Sequence, residues 1–169
     1  MKDYFFYLLF LLMLATLTGC VDKSRVYEKN VDFKKKYWDI DSVPTFTFTI
    51  PDSTKVYNIY WNVRNTTTYP YRNLYITYYL EDSLGTTLSS ALHDMTLFDP
   101  TTGKPYGDGF GGVYDHQFLA LPQRKFANNG KYQIRLKQYM RTDSLPEILS
   151  IGVRIEEDTP ESIQVGQSK

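Results

Sequence analysis

A single thiol, two imidazoles and a glycine-crowded loop are the groups in this 169-residue chain able to support covalent, acid–base or phosphate chemistry. His93-Asp94 and Asp115-His116 are the two histidine neighbourhoods, so a Ser-His-Asp relay or a histidine metal site must draw on them. Neither lies in a catalytic signature. Adjacent residues on a strand point to opposite faces, so Asp115 does not orient His116, and no HExxH or Cys-pair spacing is present. Asp99, Asp108 and Asp115 lack an EF-hand pattern. Gly103-Lys104 is followed by Pro105, and Phe98 stands where a P-loop needs its first glycine. The expected catalytic, metal and cofactor sets are empty, and the chain reads as a non-enzyme.

The thiol is different. Cys20 follows Leu17-Thr18-Gly19, and from Tyr4 to Leu17 no residue is charged. That apolar run is too short for a helix of ~20 residues crossing a bilayer core, so it reads as the heart of a signal peptide, with Lys2 at its positive end. Leu, a small residue, Gly and Cys resembles the bacterial lipobox, in which the cysteine is acylated and becomes the first mature residue. Lipidation also accounts for a lone cysteine that has no internal disulfide partner. Two or more acyl chains, palmitate among them, make such an anchor stable. No dense acidic cluster follows Cys20, which favours the periplasmic face of the outer membrane.

The elements that must carry these groups read as strands. Residues 1–19 form the leader, 20–41 the lipidated cysteine with a linker and docking segment, 42–158 the folded domain and 159–169 a flexible tail. Within 20–41 the Lys34-Lys35-Lys36 run reads as solvated surface, and Trp38 as a residue that docks on the domain. Phe46, Phe48 and Ile50 alternate with threonines; Tyr57, Ile59, Trp61 and Val63 share one face; Leu74, Ile76, Tyr78 and Leu80 share another. Tyr132 to Met140 and Leu149 to Ile155 repeat the pattern, and Val113 to Leu121 resumes it until Pro122. Thr86 to Leu88 and Met95 to Phe98 are short strands, with Ser89 to Asp94 open to a helical turn. Asp99 to Gly112 is expected to be a long exposed loop. About seven or eight strands separated by turns predict an all-β, antiparallel β-sandwich of immunoglobulin-like or jelly-roll-like type.

Partners follow from charge and aromatics. Nineteen basic residues balance nineteen acidic ones, which excludes the basic footprint of a nucleic-acid binder. The membrane, through the lipid on Cys20, is the first expected partner. Fifteen tyrosines and ten phenylalanines mostly serve the sandwich, but Tyr69, Tyr71, Tyr75, Tyr79, Tyr106, Phe110 and Tyr139 lie where sugar-stacking platforms form. Glycan binding is therefore the alternative function.

Several landmarks in order resemble the GldH family of gliding-motility lipoproteins from the Bacteroidetes. They are Cys20, Asn62-Val63-Arg64-Asn65, Tyr69-Pro70-Tyr71-Arg72-Asn73-Leu74, Gly103-Lys104-Pro105-Tyr106-Gly107-Asp108-Gly109, Gly130-Lys131-Tyr132, Met140-Arg141 and Ile151-Gly152-Val153-Arg154-Ile155-Glu156. The resemblance implies a non-enzymatic envelope component of the gliding apparatus and its type IX secretion system. It also implies a protein–protein adaptor that contacts other envelope proteins through loops or an exposed sheet edge.

Overall fold

The computed structural model describes Asp22 and residues 24–158, so Cys20, the leader and the tail lie outside the described residues. Eleven strands run through it: β1 Arg25–Asp32, β2 Tyr37–Asp39, β3 Thr45–Ile50, β4 Tyr57–Thr66, β5 Asn73–Asp82 and β6 Thr87–Thr96, then β7 Asp108–Phe110, β8 Val113–Arg124, β9 Gly130–Gln138, β10 Ser144–Pro146 and β11 Ile148–Glu157. They form a five-stranded sheet in the order β1-β11-β4-β8-β7, a four-stranded sheet in the order β3-β9-β5-β6, and a β10-β2 ribbon. Every pairing is antiparallel. The fold class is thus the expected antiparallel sandwich, with eleven strands in place of seven or eight.

Alternation explains the sandwich. Phe46, Phe48 and Ile50 of β3 are buried while their threonine neighbours are exposed, and β4, β5 and β9 bury every second residue in the same way. The two inner faces meet through aromatics: Trp61 of β4 lies 5.7 Å from Tyr78 of β5, and Tyr27 of β1 lies 5.9 Å from Phe48 of β3. Tyr57, Phe126, Tyr132 and Phe48 continue this contact to one end of the core. Burying each large side chain contributes roughly 1.5–3 kcal/mol relative to leaving it exposed.

The departures from expectation sit at edges and irregularities. Arg25–Asp32, expected as linker, is a full strand paired with β11, and Tyr37–Asp39 pairs with β10. Trp38 is fully buried, stacked on Phe33, and donates its indole N–H to the Ser42 carbonyl at 2.8 Å. Ser89 to Asp94 makes no helical turn; it is the middle of β6. The Asp99 to Gly112 loop contains a Phe98–Pro105 bridge and β7. A register shift between Ile148 and Ser150 turns Ile148 inward in place of Leu149. Pro122 does not end β8; the strand bulges around Gln123, whose φ is 50°, and whose N–H is received by the Asn58 side chain at 2.9 Å.

The outer face of the larger sheet is a hydrogen-bonded polar belt. Arg154 of β11 binds Glu28 of β1 at 3.0 Å and also Glu156 and Asp22, while Asn62 of β4 donates to Glu28 at 3.0 Å and accepts from Gln117 of β8 at 3.1 Å. Arg64 and Asp115 close the belt with a paired contact at 2.8 and 2.9 Å. Gly152 is required beneath it, because a Cβ there would lie 1.7 Å from the Asn30 side-chain oxygen.

Candidate functional site

The two histidines occupy different surroundings. His93, on β6, faces the space between the sheets; its Nδ1 accepts the Trp61 indole N–H at 2.9 Å and its ring lies 5.0 Å from Tyr78. His116, on β8, is buried, stacked on Phe118 at 5.9 Å and covered by the Gly107 backbone, where a Cβ would approach the ring to 2.9 Å. Its Nε2 is buried without a hydrogen-bond partner. Both rings act as packing elements against aromatic neighbours.

Burial pushes both histidines below the ordinary histidine range, with Asp115 and Asp108 pulling His116 part of the way back. The unfolded chain then takes up protons more readily than the folded one. Stability is full above the unfolded value of about 6.5 and is lost as pH falls from there through the depressed folded values. Urea midpoints measured from pH 8 to pH 5 should decline, and His93→Gln and His116→Gln should each flatten the slope. Asp99 acts elsewhere: backbone and side-chain bonds from Thr102 and Thr101 hold its carboxyl at about 2, so its contribution is lost only as pH falls from about 3.8 towards 2.

The loop glycines do not leave an open anion cradle. The N–H groups of Thr101 and Thr102 donate to the Asp99 carboxylate at 2.9 and 2.7 Å, and the Tyr106 hydroxyl donates to its other oxygen at 3.0 Å. Asp115 is engaged by Arg64 and Asp99 by its own loop, so each carboxylate has separate partners. The candidate aromatics divide sharply. Tyr69 is buried with its hydroxyl donating to the Asn73 carbonyl, Tyr75 and Tyr79 are half-buried, and Arg135 lies 4.9 Å over the Tyr79 ring. Tyr71, Tyr106, Phe110 and Tyr139 are exposed.

The four-stranded sheet ends in an unusual edge. β6 has no neighbour on its outer side among the described residues. Proteins normally blunt such edges with charge, proline, bulges or short length. The other edges here follow that rule: β1 carries Arg25, Glu28, Lys29 and Asp32 with a bulge, β7 has three residues, the part of β8 beyond β7's reach bulges at Pro122, and β3 is flanked by Pro44 and Pro51. β6 runs ten residues without Lys, Arg or Pro; Asp94, held by the Asn73 amide at 2.7 Å, is its one charged residue, and its pairing with β5 shifts between Thr87 and Ser89. Leu88 and Leu92 are 44% and 52% exposed; Leu92 lies opposite to the face carrying buried Met95, and Leu88 sits at the register shift. Neither leucine is a candidate from sequence alone; their exposure becomes informative once Ser89 to Asp94 is known to be an extended edge.

The family profile described as GldH lipoprotein matches residues 25–155, from the first residue of β1 to within β11. The Gliding motility lipoprotein GldH homolog of Christiangramia forsetii is 32% identical over 92% of this chain and 98% of its own length. The Gliding motility lipoprotein GldH of Flavobacterium johnsoniae is 32% identical over 87% of this chain and 94% of its own length. Among solved structures, the infectious bursal disease virus VP2 subviral particle covers 76% of this chain and 29% of its own at 12% identity, with a TM-score of 0.35, too distant to argue from. With the matched region spanning both sheets and two relatives aligned over most of their lengths, the chain belongs to the GldH lipoprotein family.

Proposed function

We infer that this protein is a non-enzymatic adaptor of the gliding-motility and type IX secretion machinery, held by lipid on Cys20 at the periplasmic face of the outer membrane. Its relatives are named for gliding motility, and the Leu17-Thr18-Gly19-Cys20 signal supplies the anchor. The observation that carries the adaptor reading is the long edge of β6, ten residues with one charged side chain and no neighbour on its outer side among the described residues. An extended segment of another envelope protein adds to that edge as a further strand, main-chain hydrogen bonds supplying affinity and the exposed Leu88 and Leu92 supplying apolar contact. The engaged or buried state of both histidines supports a structural role for them.

The test is crosslinking in the native envelope with neighbours identified by mass spectrometry, comparing the wild type with the double variant Leu88→Lys and Leu92→Lys. Both sites are exposed, so stability should change by no more than about 0.5 kcal/mol per site, while edge charge opposes strand addition. The expected result is loss of the principal crosslinked partner together with gliding or cargo secretion, in protein that remains membrane-bound. Cys20→Ala should instead release the protein from the membrane. Wild-type partner capture and secretion by the double-lysine variant would overturn the edge assignment.

A further inference from the structure

A second surface lies beyond the β6 edge, at the end of the sandwich where the β4–β5 turn meets the segment after β6. There a groove of about 290 Å³ is lined by Thr67, Tyr69, Tyr71 and Arg72 on one side and Phe98, Asp99, Pro100 and Gly103 on the other. Its walls are joined by backbone bonds: the N–H groups of Leu97 and Phe98 both donate to the Arg72 carbonyl, at 2.9 and 3.1 Å, and Tyr106 N–H donates to the Leu97 carbonyl at 3.0 Å. The floor is aromatic, with Tyr69 stacked on Phe98 at 6.4 Å. Tyr69 in turn props Tyr71 edge-on at 5.6 Å, leaving Tyr71 40% exposed. The groove is therefore assembled before any ligand arrives.

Its chemistry is mixed in a way that discriminates among ligands. The exposed Tyr71 ring offers an apolar face to C–H groups. Arg72 is exposed and offers several N–H donors in a fixed fork. Asp99 is an acceptor whose orientation is locked by Thr101, Thr102 and Tyr106, and Thr67 adds a hydroxyl. Because Arg72 and Asp99 face the same groove with opposite charge, the site has no strong net field to select an acidic peptide. A ring with one apolar face and neighbouring hydroxyls matches all of these groups. We propose that this groove binds a neutral pyranose of an envelope or extracellular glycan, Tyr71 stacking on the sugar face while Arg72 donates to, and Asp99 accepts from, its hydroxyls.

The glycan groove stands apart from the adaptor reading, and either can fail without the other. The test uses the full lipidated chain in detergent micelles on an array of neutral oligosaccharides, including cello-, xylo-, manno- and malto-hexaose, with poly-glutamate as the acidic-peptide probe. At least one neutral oligosaccharide should bind, with binding at least tenfold weaker in Tyr71→Ala and in Arg72→Ala. Unchanged circular dichroism and thermal unfolding of Tyr71→Ala and Arg72→Ala should show that the groove is folded in both, and the β6 double-lysine variant should bind as wild type. Absence of binding to every sugar, binding to poly-glutamate alone, or sugar binding unchanged in both alanine variants would each overturn the proposal.

Discussion

Replacing Trp61 with alanine is expected to cost about 3–5 kcal/mol, the range for truncating a buried aromatic in a core, and to lower the melting temperature by roughly 10–20 °C for a domain of this size. Trp61 lies on β4, the middle strand of the larger sheet, and is fully buried. It bridges the sandwich in two ways: its ring lies against Tyr78 of the opposite sheet, and its N–H reaches His93 on the edge strand β6. Alanine leaves a cavity between the sheets and removes the donor to His93 together. Trp61→Phe separates the terms, because most apolar area remains and only the hydrogen bond, worth about 1 kcal/mol, is lost. Trp38 survives in both variants as a buried fluorescence reporter for urea titrations. If Trp61→Ala unfolds within 1 kcal/mol of wild type, Trp61 is not the bridge between the sheets.

The same residue shows why much of the core was legible in the sequence. Tyr57, Ile59, Trp61 and Val63 share one parity, and a central strand with one buried face must repeat with a period of two. The edges obey no such rule. In β1, Arg-Val-Tyr-Glu-Lys-Asn-Val-Asp has only half-buried or exposed residues, because the strand has a neighbour on one side and a polar belt over its outer face. β6 hid for a related reason. Its inward side carries half-buried His93 and Ser89 and exposed Ala91 at the open rim of the sandwich, so Met95 is its one buried apolar residue. The groove was least legible. Tyr69, Tyr71, Phe98 and Asp99 come from two segments that meet because β5 pairs with β6 at Asn73 and Thr96, a pairing that sequence alternation in β6 does not reveal. The placement of Ile148 likewise depends on a bulge that shifts parity by one residue.

Arg154→Met should destabilise the domain by about 2–3 kcal/mol, below the 3–5 kcal/mol for breaking a fully buried pair because the cluster is partly wetted. The guanidinium holds Glu28, Glu156 and Asp22 together, with its own side chain only 16% exposed. Methionine keeps the aliphatic packing but leaves three carboxylates facing one another. The loss should concentrate on β1, whose one partner strand is β11 and whose Glu28 lies directly opposite Arg154. Hydrogen exchange should therefore quicken at Tyr27 to Val31 well before it quickens in β4 or β9, and added salt should shrink the difference between variant and wild type. The consequence reaches the anchor. Because Asp22 and Ser24 already engage the sandwich, through Arg154 and through the Glu157 N–H at 2.8 Å, only a few residues separate the folded domain from Cys20. Five residue steps from Cys20 to Arg25 span at most roughly 18 Å, so the lipid anchor proposed at Cys20 would keep the wild-type domain close to its bilayer. Loosening β1 lengthens that tether by the strand's eight residues without touching the lipid or the β6 edge. Uniform acceleration of exchange across all strands would show instead that Arg154 supports the whole sandwich, and that β1 is no separable tether.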